Sequence, residues 1–119
     1  MALYTNLPVF QDTYQLLLQF VQLSRNMQRD YRYTLGEQVK RAILDTMLAI
    51  FRANKTTDKI GDIQQGREKI VETQIVIRVL HETRQISTKQ FALMIECTEK
   101  VSKQLANWEK SCRPTARQT

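Results

Sequence analysis

"TLGEQVKRAILDTMLAIFRAN", Thr34 to Asn54, is the stretch from which the fold can be read. Its apolar residues recur at intervals of three and four. Leu35, Val39, Ala42 or Ile43, Met47 and Ile50 make one row, flanked by Leu44, Leu48 and Phe51. That spacing marks a helical face turned toward a core. Thr34 followed by Glu37 has the spacing of a capping box, in which a hydroxyl and a carboxylate satisfy free N–H groups at a helix start. The reading is a helix from about Leu35 to Asn54, with Lys40, Arg41 and Arg52 off its core row.

Upstream, a first helix is expected from about Val9 to Asn26. Phe10, Tyr14, Leu17 and Val21 form one row, and Leu16, Phe20, Leu23 and Met27 a second, together wider than a single coiled-coil seam. The polar segment "SRNMQRDYRYT" then connects the two helices. Downstream, Thr57 or Asp58 offers a cap for a third helix over 58–85. Its core row is Ile63, Gly66, Ile70, Thr73, Ile77 and Leu80. A separate row of Val71, Ile75 and Val79, widened by Val76, is an apolar excess that subunit packing would explain. Ser87 or Thr88 caps a fourth helix over 88–111, with Phe91, Met94, Thr98, Val101, Leu105 and Trp108 inward. Residues 112–119 have the composition of a frayed tail.

The 119 residues fit one domain, and both prolines, Pro8 and Pro114, lie near its ends. Four amphipathic segments with mostly short connections predict an all-α, antiparallel up-down-up-down four-helix bundle over 1–119. The formal charge is +6, split evenly as +3 on each side of residue 60. Any basic patch must therefore be assembled by folding, and its natural partner is an anion such as nucleic acid.

Cys97 and Cys112 fall about 22 Å apart along one helix, too far for an internal disulfide. The start "MALYTNLPVF" has no basic segment before an apolar run, and no apolar stretch is long enough to span a bilayer. The expectation is a reduced, cytoplasmic protein without membrane association.

Little in the chain points to catalysis. A di-iron bundle needs several Glu-x-x-His pairs, and this chain has a single histidine, His81. Gly61 and Gly66 do not form a phosphate loop, and Cys97 has no recognisable base. The expectation is no enzyme, no metal and no cofactor. Trp108 reads as a plug at the edge of the core. The candidate binding residues are then the cations: Arg29, Arg32, Lys40, Arg41, Arg52, Arg67, Arg78 and Arg84. For each, a solvated outer face is the ordinary role unless folding clusters them. Arg78 stands apart because Ile77, Val79 and Leu80 surround it.

Two longer stretches carry a family likeness: "RDYRYTLGEQVKRAILDTMLAIFRAN" and "VLHETRQISTKQFALMIECTEKVSKQLANWEKS". The chain resembles the accessory variability determinant (Avd) proteins of diversity-generating retroelements. The likeness rests on Arg32-Tyr33-Thr34-Leu35-Gly36, on Ala53-Asn54, on Ile86 to Phe91, and on Trp108-Glu109-Lys110-Ser111. It spans about residues 10–111. Asn107 stands where that family commonly has glycine, and "NMQRD" replaces a frequent Phe-Pro turn. A related bundle family, encoded in intervening sequences of 23S ribosomal RNA genes, shares the architecture, but its "S-I-P-x-N-I-A-E-G" stretch is missing here.

The resemblance implies a non-catalytic accessory protein that forms a homopentameric barrel. It would bind the element's reverse transcriptase and template RNA or cDNA and support mutagenic retrohoming. The alternative is a structural homo-oligomeric bundle with no retroelement role. On either reading, "RDYRYTLGE" is a helix entrance. Thr34 and Glu37 cap it, Gly36 belongs to its motif, Tyr31 and Tyr33 wedge the loop onto the bundle end, and Arg29 and Arg32 either face outward or cap the carbonyls of neighbouring helices.

Overall fold

Pro8 opens the first long helix at a position where a missing N–H costs nothing. In the computed structural model, which describes residues 3–114, a 3-10 turn at Tyr4–Asn6 leads into α1, Pro8–Ser24. A single helical turn, α2, follows at Arg29–Arg32. The long helices α3, Leu35–Lys55, α4, Ile60–Glu82, and α5, Thr88–Cys112, complete the chain.

Side-chain contacts between the long helices give their order and direction. Asp12 accepts from Gln104 at 2.7 Å and Gln19 from Cys97 at 3.3 Å, which sets α1 antiparallel to α5. Asp45 meets Lys69 at 3.8 Å and Asp62 meets Arg52 at 3.5 Å, pairing α3 with α4 in the same sense. Gln64 with Glu109 at 3.2 Å, and Gln74 with Thr98 at 3.1 Å, do so for α4 and α5. Phe10 of α1 lies beside Met47 of α3, and Val21 lies beside Gln38, which closes the square. The result is a four-helix bundle running up-down-up-down, 53 Å along its longest axis.

Its core holds Leu16, Phe20, Val39, Ile43, Ile50, Ile63, Ile70, Ile77, Leu80, Met94, Val101 and Leu105, all essentially without exposure. Each such side chain contributes about 1.5–3 kcal/mol relative to staying in water. At Gly66 an added Cβ would lie 3.4 Å from the Cβ of Ala49 and 3.7 Å from Leu105. Here α3 and α4 approach closely enough to leave space for a methyl and nothing larger.

Of the second row, Leu16, Phe20 and Met27 are buried and Leu23 is half-buried, Met27 lying just past the end of α1. Of the first row, Phe10, Leu17 and Val21 are half-buried and Tyr14 is exposed. The inward face of α1 is completed by Val9, Thr13 and Ser24, two of which are polar. Thr13 can be buried because its hydroxyl donates to the Val9 carbonyl at 2.6 Å, and Ser24 does the same to Val21 at 2.8 Å. Thr46, Thr73 and Thr98 solve the same problem with bonds to Ala42, Lys69 and Ile95.

The helix ends differ from the sequence reading in several places, among them α1, which stops at Ser24 rather than Asn26, and α4, which stops at Glu82 rather than Gln85. Thr34 does occupy the N-cap of α3, but its side chain accepts no N–H there. Its Oγ1 instead donates backward to the Asp30 carbonyl at 2.5 Å, and Glu37 pairs with Lys40 at 3.0 Å, so no capping box forms. The box that does form is on α5: Ser87 Oγ accepts from the Gln90 N–H at 3.0 Å while Gln90 accepts from the Ser87 N–H at 2.9 Å. Helix α4 starts after Lys59, without a side-chain cap from Thr57 or Asp58. Finally, Cys112 belongs to α5 rather than to a tail, and positions 115–119 lie outside the described residues.

Candidate nucleic-acid interface

The polar connection between α1 and α3 is ordered by its own bonds. Gln28 holds an extended backbone conformation and donates its N–H to the Gln85 side chain at 2.9 Å, tying this connection to the turn between α4 and α5. Arg29–Arg32 then makes one helical turn. Tyr31 packs half-buried against the core, as expected of a wedge. Gly36 lets the chain pass: a Cβ there would sit 3.3 Å from the Tyr31 carbonyl oxygen.

Tyr33 does not wedge the loop. It is 61% exposed, and two guanidinium groups stack on its ring, with Arg29 Cζ 5.9 Å and Arg32 Cζ 5.2 Å from the centroid. The exposure has a local cause. Tyr31 already takes the inward position, and a residue two steps along a helical turn faces away from it. Arg32 also donates through Nη1 to the Arg25 carbonyl at 3.4 Å, while its buried Nε has no partner. An exposed aromatic ring flanked by cations suits base stacking combined with phosphate pairing.

The turn that Gln28 touches adds a further cation. Helix α4 ends in a Schellman motif, with the Gln85 N–H on the Leu80 carbonyl at 2.8 Å and the Arg84 N–H on His81 at 3.0 Å. The residue at the left-handed position is Arg84, with φ 64°, where glycine is usual. Arg84 is exposed there. Arg25, Arg29, Arg32 and Arg84 thus meet at one end of the bundle, and none forms an ion pair among the described residues. Arg25 was absent from the sequence-based candidates, although its place next to the arginine-rich connection was a usable signal.

Of the other candidates, Lys40, Arg41 and Arg78 lie within about two helical turns of that end, and Arg52 and Arg67 lie toward the far end. Lys40 is engaged by Glu37, and Arg41 is exposed beside it. Arg78 is also exposed, with Cζ 5.9 Å from the Phe91 ring centroid. His81 stacks on the same ring, 4.4 Å from Phe91 and nearly parallel to it, with Nε2 3.2 Å from Thr88 Oγ1. Folding does not bring Arg52 and Arg67 to the arginine-rich end. Arg52 contacts Asp62 at 3.5 Å and Gln65 at 3.4 Å. Arg67 donates to Glu109 at 2.8 Å.

Glu109 is the centre of that far end. It is buried, and it accepts from Arg67, from Gln64 and from Arg113. Those bonds, that from Arg67 foremost, hold its carboxyl down to about 2. Sequence reasoning missed this carboxylate, although Arg113 four residues on was the visible half of it. Nearby, Lys59 donates to the Ala53 and Thr56 carbonyls at 2.7 and 2.6 Å, closing the end of α3. Trp108 lies half-buried against the core.

The chemistry of the remaining reactive groups is muted. Burial pushes the Cys97 thiol up, assisted by Glu96, and its Sγ donates to Gln19. Both cysteines are free. Among the described residues, no group of three or more His, Cys, Asp or Glu is placed to hold a metal ion, and no helix is long and apolar enough to cross a membrane. No protein-family model matches the chain, and no curated protein matches it either.

Proposed function

We propose that this protein is a non-catalytic, self-associating adaptor that binds single-stranded nucleic acid through the arginine-rich end of its bundle. Its resemblance to accessory variability determinant proteins names the biological setting: the nucleic acid is the template RNA or cDNA of a diversity-generating retroelement, and the protein partner is that element's reverse transcriptase. The observation that carries the binding reading is the exposed Tyr33 ring, stacked by Arg29 and Arg32 and held by an ordered connection. Cations without carboxylate partners remain available to phosphate, and each phosphate they neutralise releases counterions. Five copies of a +6 chain in one ring carry about +30, a field that steers RNA at modest salt.

Co-purification with the neighbouring reverse transcriptase and template RNA, read by light scattering at low and moderate salt, tests this reading. The expected result is a complex of about five copies that loses RNA as salt rises, in line with counterion release. An oligomer that ignores both partners would leave only the structural bundle.

A further inference from the structure

Two outer stripes of the bundle have matching lengths and end charges of opposite sign, with exposed Arg78 lying between Ile75 and Glu82 on the second of them. On α3, Leu44, Leu48 and Phe51 lie in line, with Leu44 39% and Leu48 43% exposed, between Arg41 at one end and Lys55 at the other. Lys55 rests its Nζ 4.8 Å from the Phe51 ring centroid. On α4, Val71, Ile75 and Val79 lie in line, 50%, 58% and 40% exposed, between Glu68 and Glu82. Spacings of three and four keep each set on one helical face. Each runs about 21 Å at the helical rise. None of the four end charges has an ion-pair or hydrogen-bond partner among the described residues.

The geometry points to a head-to-tail contact between copies of this chain, in which the α4 stripe of one copy lies on the α3 stripe of the next. The α3 stripe borders hollows shared with α1, where Phe10 and Met47 add apolar floor, so a ridge of valine and isoleucine has a place to sit. The acids at the ridge ends meet the bases at the groove ends. Both ends of a stripe carry the same sign, so the charges suit either direction of the incoming helix. A second copy is the occupant because one chain carries both halves of the match. Since the two stripes differ, the contact is heterologous and leaves a free half on each outer copy, which a ring closes. The inference rests on the self-association in the reading above, gives it an interface, and assigns Arg41 to that interface rather than to RNA.

Sedimentation velocity over a concentration series tests it, with circular dichroism to verify helicity and RNA retention read on the same samples. Glu68→Lys with Glu82→Lys, or Arg41→Glu with Lys55→Glu, should each weaken association at least about tenfold, because like charges then face each other. Placing all four changes in one chain should recover it, and mixing the two double variants should recover contacts between unlike variants, although a closed ring of five must then hold one like-charged contact. A wild-type chain that stays monomeric overturns self-association and this interface together. Assembly indifferent to both swaps, or a failure of the mixture and the fourfold variant to recover with helicity intact, overturns the interface alone. An assembly that behaves as drawn yet holds no RNA overturns the nucleic-acid reading and supports this one.

Discussion

The two ends of the bundle use the same residue type in opposite ways. At the far end, Arg67 and Arg113 converge on buried Glu109, Arg52 is held by Asp62, and Lys59 closes α3. At the near end, Arg29 and Arg32 flank the exposed ring of Tyr33, Arg25 and Arg84 lie at the same end, and none of the four has a carboxylate partner among the described residues. An arginine paired inside the protein supports the fold and has little left for a ligand. One held only by an aromatic face keeps most of its hydrogen-bonding capacity. Which cations carry a carboxylate partner, more than where the bases lie, therefore separates a stabilising end from the proposed binding end.

The largest expected break in this comparison is a charge swap at each end. Arg29→Glu with Arg32→Glu should cost about a hundredfold in affinity for single-stranded RNA and leave the melting temperature nearly unchanged. Arg52→Glu with Arg67→Glu should do the reverse, lowering the melting temperature with a much smaller effect on RNA. Fluorescence anisotropy and thermal melts on the same preparations check both. Tyr33→Ala comes next, with a loss of roughly tenfold in RNA affinity, the worth of about one stacked base. Its exposure predicts no change in folding.

Glu109 sharpens the stabilising side. Its folded carboxyl is held at about 2, below the ordinary 4.5. The stabilisation is therefore fully present above the ordinary value and is lost as pH falls toward about 2. Glu109→Gln should lower the melting temperature by several degrees at neutral pH and flatten the acid limb of the stability profile in that window. The smallest effect is at Arg84. Replacing this left-handed residue with glycine should stabilise the fold by about 1 kcal/mol, read by urea denaturation, while slightly weakening RNA binding.

The periodicity of "TLGEQVKRAILDTMLAIFRAN" made the helices legible because heptad-like apolar spacing has few other solutions. The inward face of α1 was harder to read, since burial there includes Thr13 and Ser24. A pattern built on apolar residues overlooks hydroxyls that bond their own helix. The Thr34–Glu37 spacing suggested a cap, but the hydroxyl found the closer Asp30 carbonyl created by the α2 turn. The partition of the arginines was not legible at all. Arg67 and Glu109 are 42 residues apart in the chain, and only the packing of α4 on α5 joins them. The entrance motif singled out Arg29 and Arg32, but not the exposed tyrosine against which they lie.

Photocrosslinking of a short 4-thiouridine RNA, mapped by mass spectrometry, tests the central claim most directly. The account predicts adducts on Tyr33 and on the segment from Arg25 to Arg32. Adducts concentrated around Arg52, Asp62 and Arg67, or none above a charge-matched control protein, would contradict it.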